Sequence, residues 1–565
     1  MTDLVREFEA DDNSVSSFYD LPRSVVRFDR IEKLYTGWQV RLVAVDFDAL
    51  DPAGRVDYLL LRNALQQSLA EIARERKRVA EMDHLLTFRG IVHELEQSRW
   101  RGEPANAQAA AAKVADLTKQ AKRLKERVEK GVKAKAEPAK EKKSDDPAAI
   151  TVSAALARRT AVAIAELRGS LKKWFGFYDG YQPDFQWWVK KPYEEADKQL
   201  EDYAKFLREE VAGLKGKDED PLIGDPIGAD AVAEAIRFEF LPYTAEELIA
   251  IGEREMAWCE REMKNAARPM GCDDWKAALA KVKADFVPPG QQDDLIGKTA
   301  HEAIAFVKKH RFATVPPLCE ETWRLTMMSP ETMKTIPYAA YGGQNMMVAY
   351  AKDEMKQEDK LMVMRGNNRH FTRLTTAHEL IPGHHLQNFQ AARHNPHRRV
   401  FSTPFYVEGW ALYCELRLWD LGWARTPQER IGMLFWRMNR AARIIVSLKY
   451  HLGQMKPAEM VDFLVNRVGH EKLGATSEVR RFIIAPPLYQ AGYLLGGLQL
   501  KALHDDRVRP SKMTEQQFND AVLMENTMPI ELLRAALLKL PITRDTQPSW
   551  KFAGENPAAD KKEKP

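Results

Sequence analysis

The chain has 565 residues, 45% of them apolar, and its 85 Lys and Arg against 81 Asp and Glu leave a formal charge of +4. That length allows two or three ordinary domains or one large helical body, and the near-balanced charge gives no argument for a nucleic-acid or membrane partner. No apolar run of about 18 residues occurs, so no membrane-spanning helix is expected.

The opening MTDLVREFEADDNS is acidic and polar, with no basic stretch leading into an apolar run. As written it fits a cytoplasmic protein, or a periplasmic or exported one if a signal peptide has been removed. Helical periodicity then runs from Phe28 to about Lys133, clearest in DYLLLRNALQQSLAEIARERKRV. The basic stretch Lys119–Lys143 carries no aromatic residue for stacking on bases and reads as a solvated helix face running into a loop. PAKEKKSDDP, Pro138 to Pro147, marks a flexible insert over about 134–149. Helical patterning resumes at Thr151, and YQPDFQWWVKKPY predicts an aromatic turn holding Trp187, Trp188 and Tyr193.

Gly, Pro and Asp cluster over Lys215–Asp230, which divides an N-terminal helical region, 1–225, from a region 226–545. The second region opens on an amphipathic helix, TAEELIAIGEREMAWCEREMKNAARPMGC, that stops at Pro-Met-Gly. Tyr338–Glu354 and Lys360–Asn367 read as short strands. Helices dominate from Leu374 to about Leu540, and a polar, frayed tail spans 546–565. The cysteines, Cys259, Cys272, Cys319 and Cys414, are scattered and read as buried free thiols.

The chemistry concentrates in TTAHELIPGHHLQ, Thr375 to Gln387. A catalytic zinc takes three protein ligands and keeps one position open. It lowers the pKa of a water to about 7, and a neighbouring carboxylate takes the proton. The usual signature is His-Glu-x-x-His, in which the Glu is that base. Here Pro382 stands where the second His belongs. In a straight helix His384 would be rotated about 240° from His378, and His385 would lie about 10.5 Å along the axis, so neither suits one ion. Pro382 cannot donate to the His378 carbonyl, and Gly383 tolerates unusual backbone angles. Together they predict a bulge or break between Ile381 and His384 that swings a later His back toward His378. A third ligand is available in FYVEGWALYCELRLWDLG, where Glu408 and Glu415 are embedded among aromatic residues. A carboxylate there is costly to bury unless paired or metal-bound.

HELIPGHHLQ followed by YVEGWALYCE resembles a bacterial family, domain-of-unknown-function family 885, which carries His-Glu-x-x-Pro-Gly-His-His-x-Gln and then Glu-Gly-Trp-Ala-x-Tyr. RVDYLLLRNAL and SEVRRFIIAPPLYQAGYLLG resemble its N- and C-terminal parts. RIIVSLKYH departs from it, with Ser447-Leu448-Lys449 in place of Asp-Thr-Gly. The family is grouped with zinc peptidases of the glutamate-ligand type, whose helical bodies are similar to thimet oligopeptidase and neurolysin. The resemblance implies Zn2+ held by His378, His384 (with His385 as the alternative) and Glu408, and Glu379 as general base. It implies Tyr489 and Tyr493 as hydrogen-bond donors to the tetrahedral intermediate. His385, Arg481, Gln490 and Tyr341 would contact substrate, and the strand Met346–Tyr350 would pair with an extended peptide.

The expected fold is mainly α: a large helical zincin-like body with a deep cleft and a small antiparallel sheet beside the metal helix. The expected function is a zinc-dependent metallopeptidase cleaving short peptides. A metal-dependent amidase on non-peptide substrates and a non-catalytic peptide-binding protein are the alternatives. Nothing in the sequence fixes an oligomeric state.

Overall fold

The computed structural model describes residues 1–136, 149–217, 220–333, 335–336 and 338–553. Among the described residues the chain is mainly α-helical with one small sheet. It forms two compact units, one of Glu7–Ala44 and Leu65–Ile223, the other of Met1–Arg6, Val45–Ala64 and Gly224 onward. The main change of unit falls within the Gly- and Pro-rich Lys215–Asp230 stretch. No described helix is long and apolar enough to cross a membrane.

The first unit is built on helices α1 (Ala107–Ala136), α2 (Ala154–Tyr178) and α3 (Pro183–Phe206). Along α1, Val114, Leu117, Ala121, Leu124 and Val128 alternate at spacings of three and four and are all buried, the stripe a helix presents to a core. Lys119, Lys122, Arg123, Lys130 and Lys133 of the basic stretch stay exposed. The insert Pro138–Pro147 lies outside the described residues. The expected aromatic turn is instead the first half of α3. Pro183 occupies the first helical turn, where a missing N–H costs nothing. Trp187 points to solvent, 82% exposed, and Tyr193 stacks on Phe175 with ring centroids 3.9 Å apart.

The second unit carries the motif. Helix α4 (Ala245–Ala267) begins at a reciprocal cap. Thr244 Oγ1 accepts from the Glu247 amide at 3.2 Å, and Glu247 accepts from the Thr244 amide at 2.8 Å. It stops, as the sequence predicts, at Arg268-Pro-Met and a left-handed Gly271. Strands β1 (Arg324–Met327), β2 (Ala339–Gly342) and β3 (Asn345–Val348) form a sheet in the order β1-β3-β2. β2 and β3 are an antiparallel hairpin with Tyr341 opposite Met346, but β1 runs parallel to β3 with Leu325 opposite Met346. The sheet is therefore mixed, not antiparallel. Lys360–Asn367 is not a strand either, since it falls largely in helix α5 (Gln357–Gly366). Glu358 and Asp359 in its first turn complement the helix dipole, and a short apolar run does not by itself separate helix from strand.

The motif lies on α6 (Arg369–Glu379) and α7 (His384–Ala391). Around it stand α8 (Pro404–Asp420), α9 (Pro427–His451), α10 (Lys472–Phe482) and α11 (Tyr489–Arg507). α8 and α11 cross backbone to backbone: a Cβ on Gly409 would sit 2.8 Å from the Cα of Gly496. That close crossing, open only to glycine, brings Glu408 on α8 beside Tyr489 and Tyr493 on α11. The start of the tail is held in place, since the Ser549 amide and hydroxyl donate to Glu531 at 2.9 and 3.0 Å; its remainder, 554–565, lies outside the described residues.

Candidate metal centre

Helix α6 starts where Asn368 accepts from the amides of His370 and Phe371, both at 3.0 Å. It ends at Glu379, and α7 begins at His384. Between them the backbone turns at Leu380 (φ −103°, ψ −108°), and the Gly383 amide reaches back to the Ala377 carbonyl at 3.0 Å. Gly383 rests against the His378 carbonyl that proline leaves without its usual donor, and a Cβ there would overlap that oxygen. Trp410 on α8 donates to the Pro382 carbonyl at 3.0 Å, tying the break to the next helix. The predicted interruption is thus present.

The break turns His384 back toward His378: their rings lie 4.9 Å apart and nearly perpendicular. Oε2 of Glu408 stands 3.2 Å from His384 Nε2 and 3.8 Å from His378 Nε2. Two donors each about 2.0–2.2 Å from a tetrahedral zinc lie about 3.3–3.6 Å apart. The spacing therefore fits one ion between the three side chains. Glu379 also brings a carboxylate oxygen within 4.8 Å of the two imidazoles. The two imidazoles therefore face two carboxylates, Glu408 and Glu379, each placed to complete a set of three ligands.

Glu415, about two turns along the same helix face as Glu408, accepts from His378 Nδ1 at 2.7 Å. It fixes the ring so that Nε2 faces Glu408, as outer-shell carboxylates do for metal-ligating histidines. Burial opposes a charge on His378, but Glu408 and Glu415 outweigh it and hold the imidazole up at about 9 without a metal. Burial would likewise push Glu408 up, but the charges of His384 and His378 hold it well below the usual carboxylate range.

His385 faces elsewhere. Its Nε2 donates to the Cys319 carbonyl at 2.9 Å, and its Nδ1 lies 3.1 Å from the Tyr341 hydroxyl. Both its nitrogens are thus engaged away from His378, burial lowers its basicity, and it does not line the cavity. Gln490 is fully buried and does not line the cavity.

His378, Glu379, His384 and Glu408 open into a cavity of about 390 Å³, together with Tyr341, Tyr489, Tyr493 and Arg481. Tyr489 donates to Glu408 Oε1 at 2.8 Å. Tyr493 stacks parallel to His378, 6.4 Å between centroids, and burial, with the charge of Glu408, pushes its phenol up to about 12. Arg481 pairs with Glu478 at 3.0 Å. Arg440 and Arg443 also line the cavity. Sequence reasoning missed both, and the available signal was the three-residue spacing of Arg437, Arg440 and Arg443 along one amphipathic helix.

β3 cannot pair with a peptide, because β1 and β2 occupy both its sides. The edge strands are β1 and β2, and it is β2 whose Ala339, Ala340 and Tyr341 line the cavity.

The profile of a bacterial family, "Bacterial protein of unknown function (DUF885)", matches residues 23–537. No curated protein matches the chain in sequence. Among the solved structures that share its fold are two named as lipoproteins. A "putative lipoprotein of unknown function" from Shewanella oneidensis is 14% identical, with a TM-score of 0.66 over 95% of this chain and 99% of that one. A "putative lipoprotein" from Colwellia psychrerythraea is 16% identical, with a TM-score of 0.57 over 91% and 90%.

Proposed function

This chain belongs to the bacterial DUF885 family, and we propose that it is a zinc-dependent hydrolase that cleaves short peptides. The observation that carries this reading is the placement of Glu408 Oε2 at 3.2 and 3.8 Å from two imidazole nitrogens. Zinc bound there supplies a Lewis acid and lowers the pKa of a water to about 7.

His378, His384 and Glu408 hold the ion, and Glu415 keeps the His378 ring in register. Glu379, buried at the cavity wall, takes a proton from the attacking water and passes it to the leaving amine. Tyr493, whose phenol keeps its proton through the neutral range, donates to the oxygen that gains charge. Tyr489 orients Glu408. The edge of β2 offers backbone groups to an extended substrate. The likeness to thimet oligopeptidase and neurolysin rests on the motifs alone.

The names of the two solved neighbours support an exported enzyme, and cell fractionation of the native host tests that location. The activity is tested by incubating the zinc-loaded chain with a panel of short peptides and non-peptide amides. Peptide cleavage that a chelator abolishes supports the reading. Cleavage of other amides alone moves it to an amidase, and turnover of neither removes it.

A further inference from the structure

The cavity that holds His378, His384 and Glu408 is also lined by Arg440, Arg443 and Arg481. Arg440 is 5% exposed and Arg443 3%. Guanidinium groups this buried need partners. Glu478 serves two of them, at 2.6 Å from Arg443 and 3.0 Å from Arg481. Glu415 lies 3.7 Å from Arg440, but the same oxygen already accepts from His378. Three cations thus share one carboxylate of their own and part of another. Nε of Arg440, Nη1 of Arg443 and Nε of Arg481 are buried without a hydrogen-bond partner. Three guanidinium groups against Glu478 and a shared Glu415 leave this wall of the cavity with excess positive charge, and the cavity is the side from which an anion arrives.

The cluster is also close to the candidate metal centre. The guanidinium carbons of Arg443 and Arg440 lie 4.7 and 5.3 Å from the centroid of the Tyr493 ring, and that ring stacks on His378 at 6.4 Å. An extended peptide covers about 3.3–3.6 Å per residue, so no more than about three residues fit between the arginines and the ion. A planar fork matches a carboxylate, and a peptide carries one at its end.

We propose that Arg440, Arg443 and Arg481 form the subsite for the free C-terminal carboxylate of a short peptide, so that the chain cuts within about three residues of that end. The assignment rests on the hydrolase reading above. It makes the enzyme a carboxy-terminal exopeptidase and sets a substrate carboxylate against the excess positive charge of the three arginines.

The test measures binding to the zinc-loaded Glu379→Gln chain by calorimetry, with three versions of one pentapeptide. These are the free acid, the C-terminal amide, and an amide whose last residue is Glu. The free acid should bind about 10- to 100-fold more tightly than both amides, the scale of a hydrogen-bonded charge. The Arg443→Gln variant should lose most of that preference. Equal binding of acid and amide, or no binding of the acid, overturns the subsite. So does a Glu-ending amide that binds as well as the acid, because it assigns the arginines to a side chain. The comparison of acid with amide needs no arginine variant to fold. Cleavage by the wild-type chain separates the two readings. A binding preference without cleavage upholds the subsite and sinks the hydrolase, whereas cleavage of acid and amide alike without a preference sinks the subsite alone.

Discussion

Glu415 Oε1 accepts the Nδ1 proton of His378 at 2.7 Å while lying 3.7 Å from Arg440. One buried carboxylate thus orients the imidazole that faces Glu408 and partly balances the arginine cluster. Glu415→Gln keeps the shape but removes the charge that raises the basicity of the ring. Zinc affinity should fall about 10- to 100-fold with the fold retained. Competition with a chromophoric chelator measures it, and an unchanged affinity would remove Glu415 from the site.

Gly383→Ala places a methyl group on the His378 carbonyl. The break between α6 and α7 must then shift, and His384 with it. The expected loss is about 1–3 kcal/mol of stability, the usual cost of overpacking, together with bound zinc. Denaturant unfolding and metal content report the two effects. Full stability with a full complement of zinc would show that the break tolerates a side chain.

Glu379→Gln separates holding the metal from using it. The variant should bind zinc as the wild type does and lose about 10²- to 10⁴-fold in peptide cleavage, the range for a general base. Activity within a few fold of wild type would assign the proton transfer to another group.

The acid limb of stability should depend on Glu478. Burial alone would raise this carboxyl, but Arg443, Arg481 and His470 together hold it down at about 2. Because the folded value lies below the unfolded one, its contribution is fully present above pH ~4.5 and is lost as pH falls toward 2. Integrated over that shift it amounts to about 3 kcal/mol. His470, which burial lowers to about 3, adds loss of stability in the same direction as pH falls below ~6.5. Glu478→Gln should lower stability at neutral pH by about 3–5 kcal/mol, because it leaves buried arginines unpaired. It should also flatten the stability curve between pH 4.5 and 2. Chemical unfolding across pH measures both, and a variant curve parallel to wild type would contradict the assignment.

Much of this centre was legible in the sequence because its signals are local. Pro382 and Gly383 announce a break by backbone chemistry alone, and Glu408 stands out as a carboxylate in an aromatic helix. Whether His384 or His385 turns toward His378 depends on the angle of the break, which no local pattern fixes. Arg440 and Arg443 were hidden because arginines in a long amphipathic helix read as solvent-facing. Helices α4, α6 and α11 packed against α9, with Glu478 reaching Arg443 from α10, bury them, and no local pattern shows that packing. The parallel strand β1 was missed because it pairs across distant sequence, and α5 because four apolar residues in eight suit either period. Trp187 and Trp188 misled because aromatic density suggested a turn where Pro183 starts a helix.

The most direct measurement is elemental analysis of bound metal in the wild-type chain and in His378→Ala, His384→Ala, His385→Ala and Glu408→Ala. The geometry predicts near-stoichiometric zinc in the wild type and in His385→Ala, with loss in the other three. No zinc in the wild type after zinc is supplied, or loss in His385→Ala with retention in His384→Ala, would contradict it.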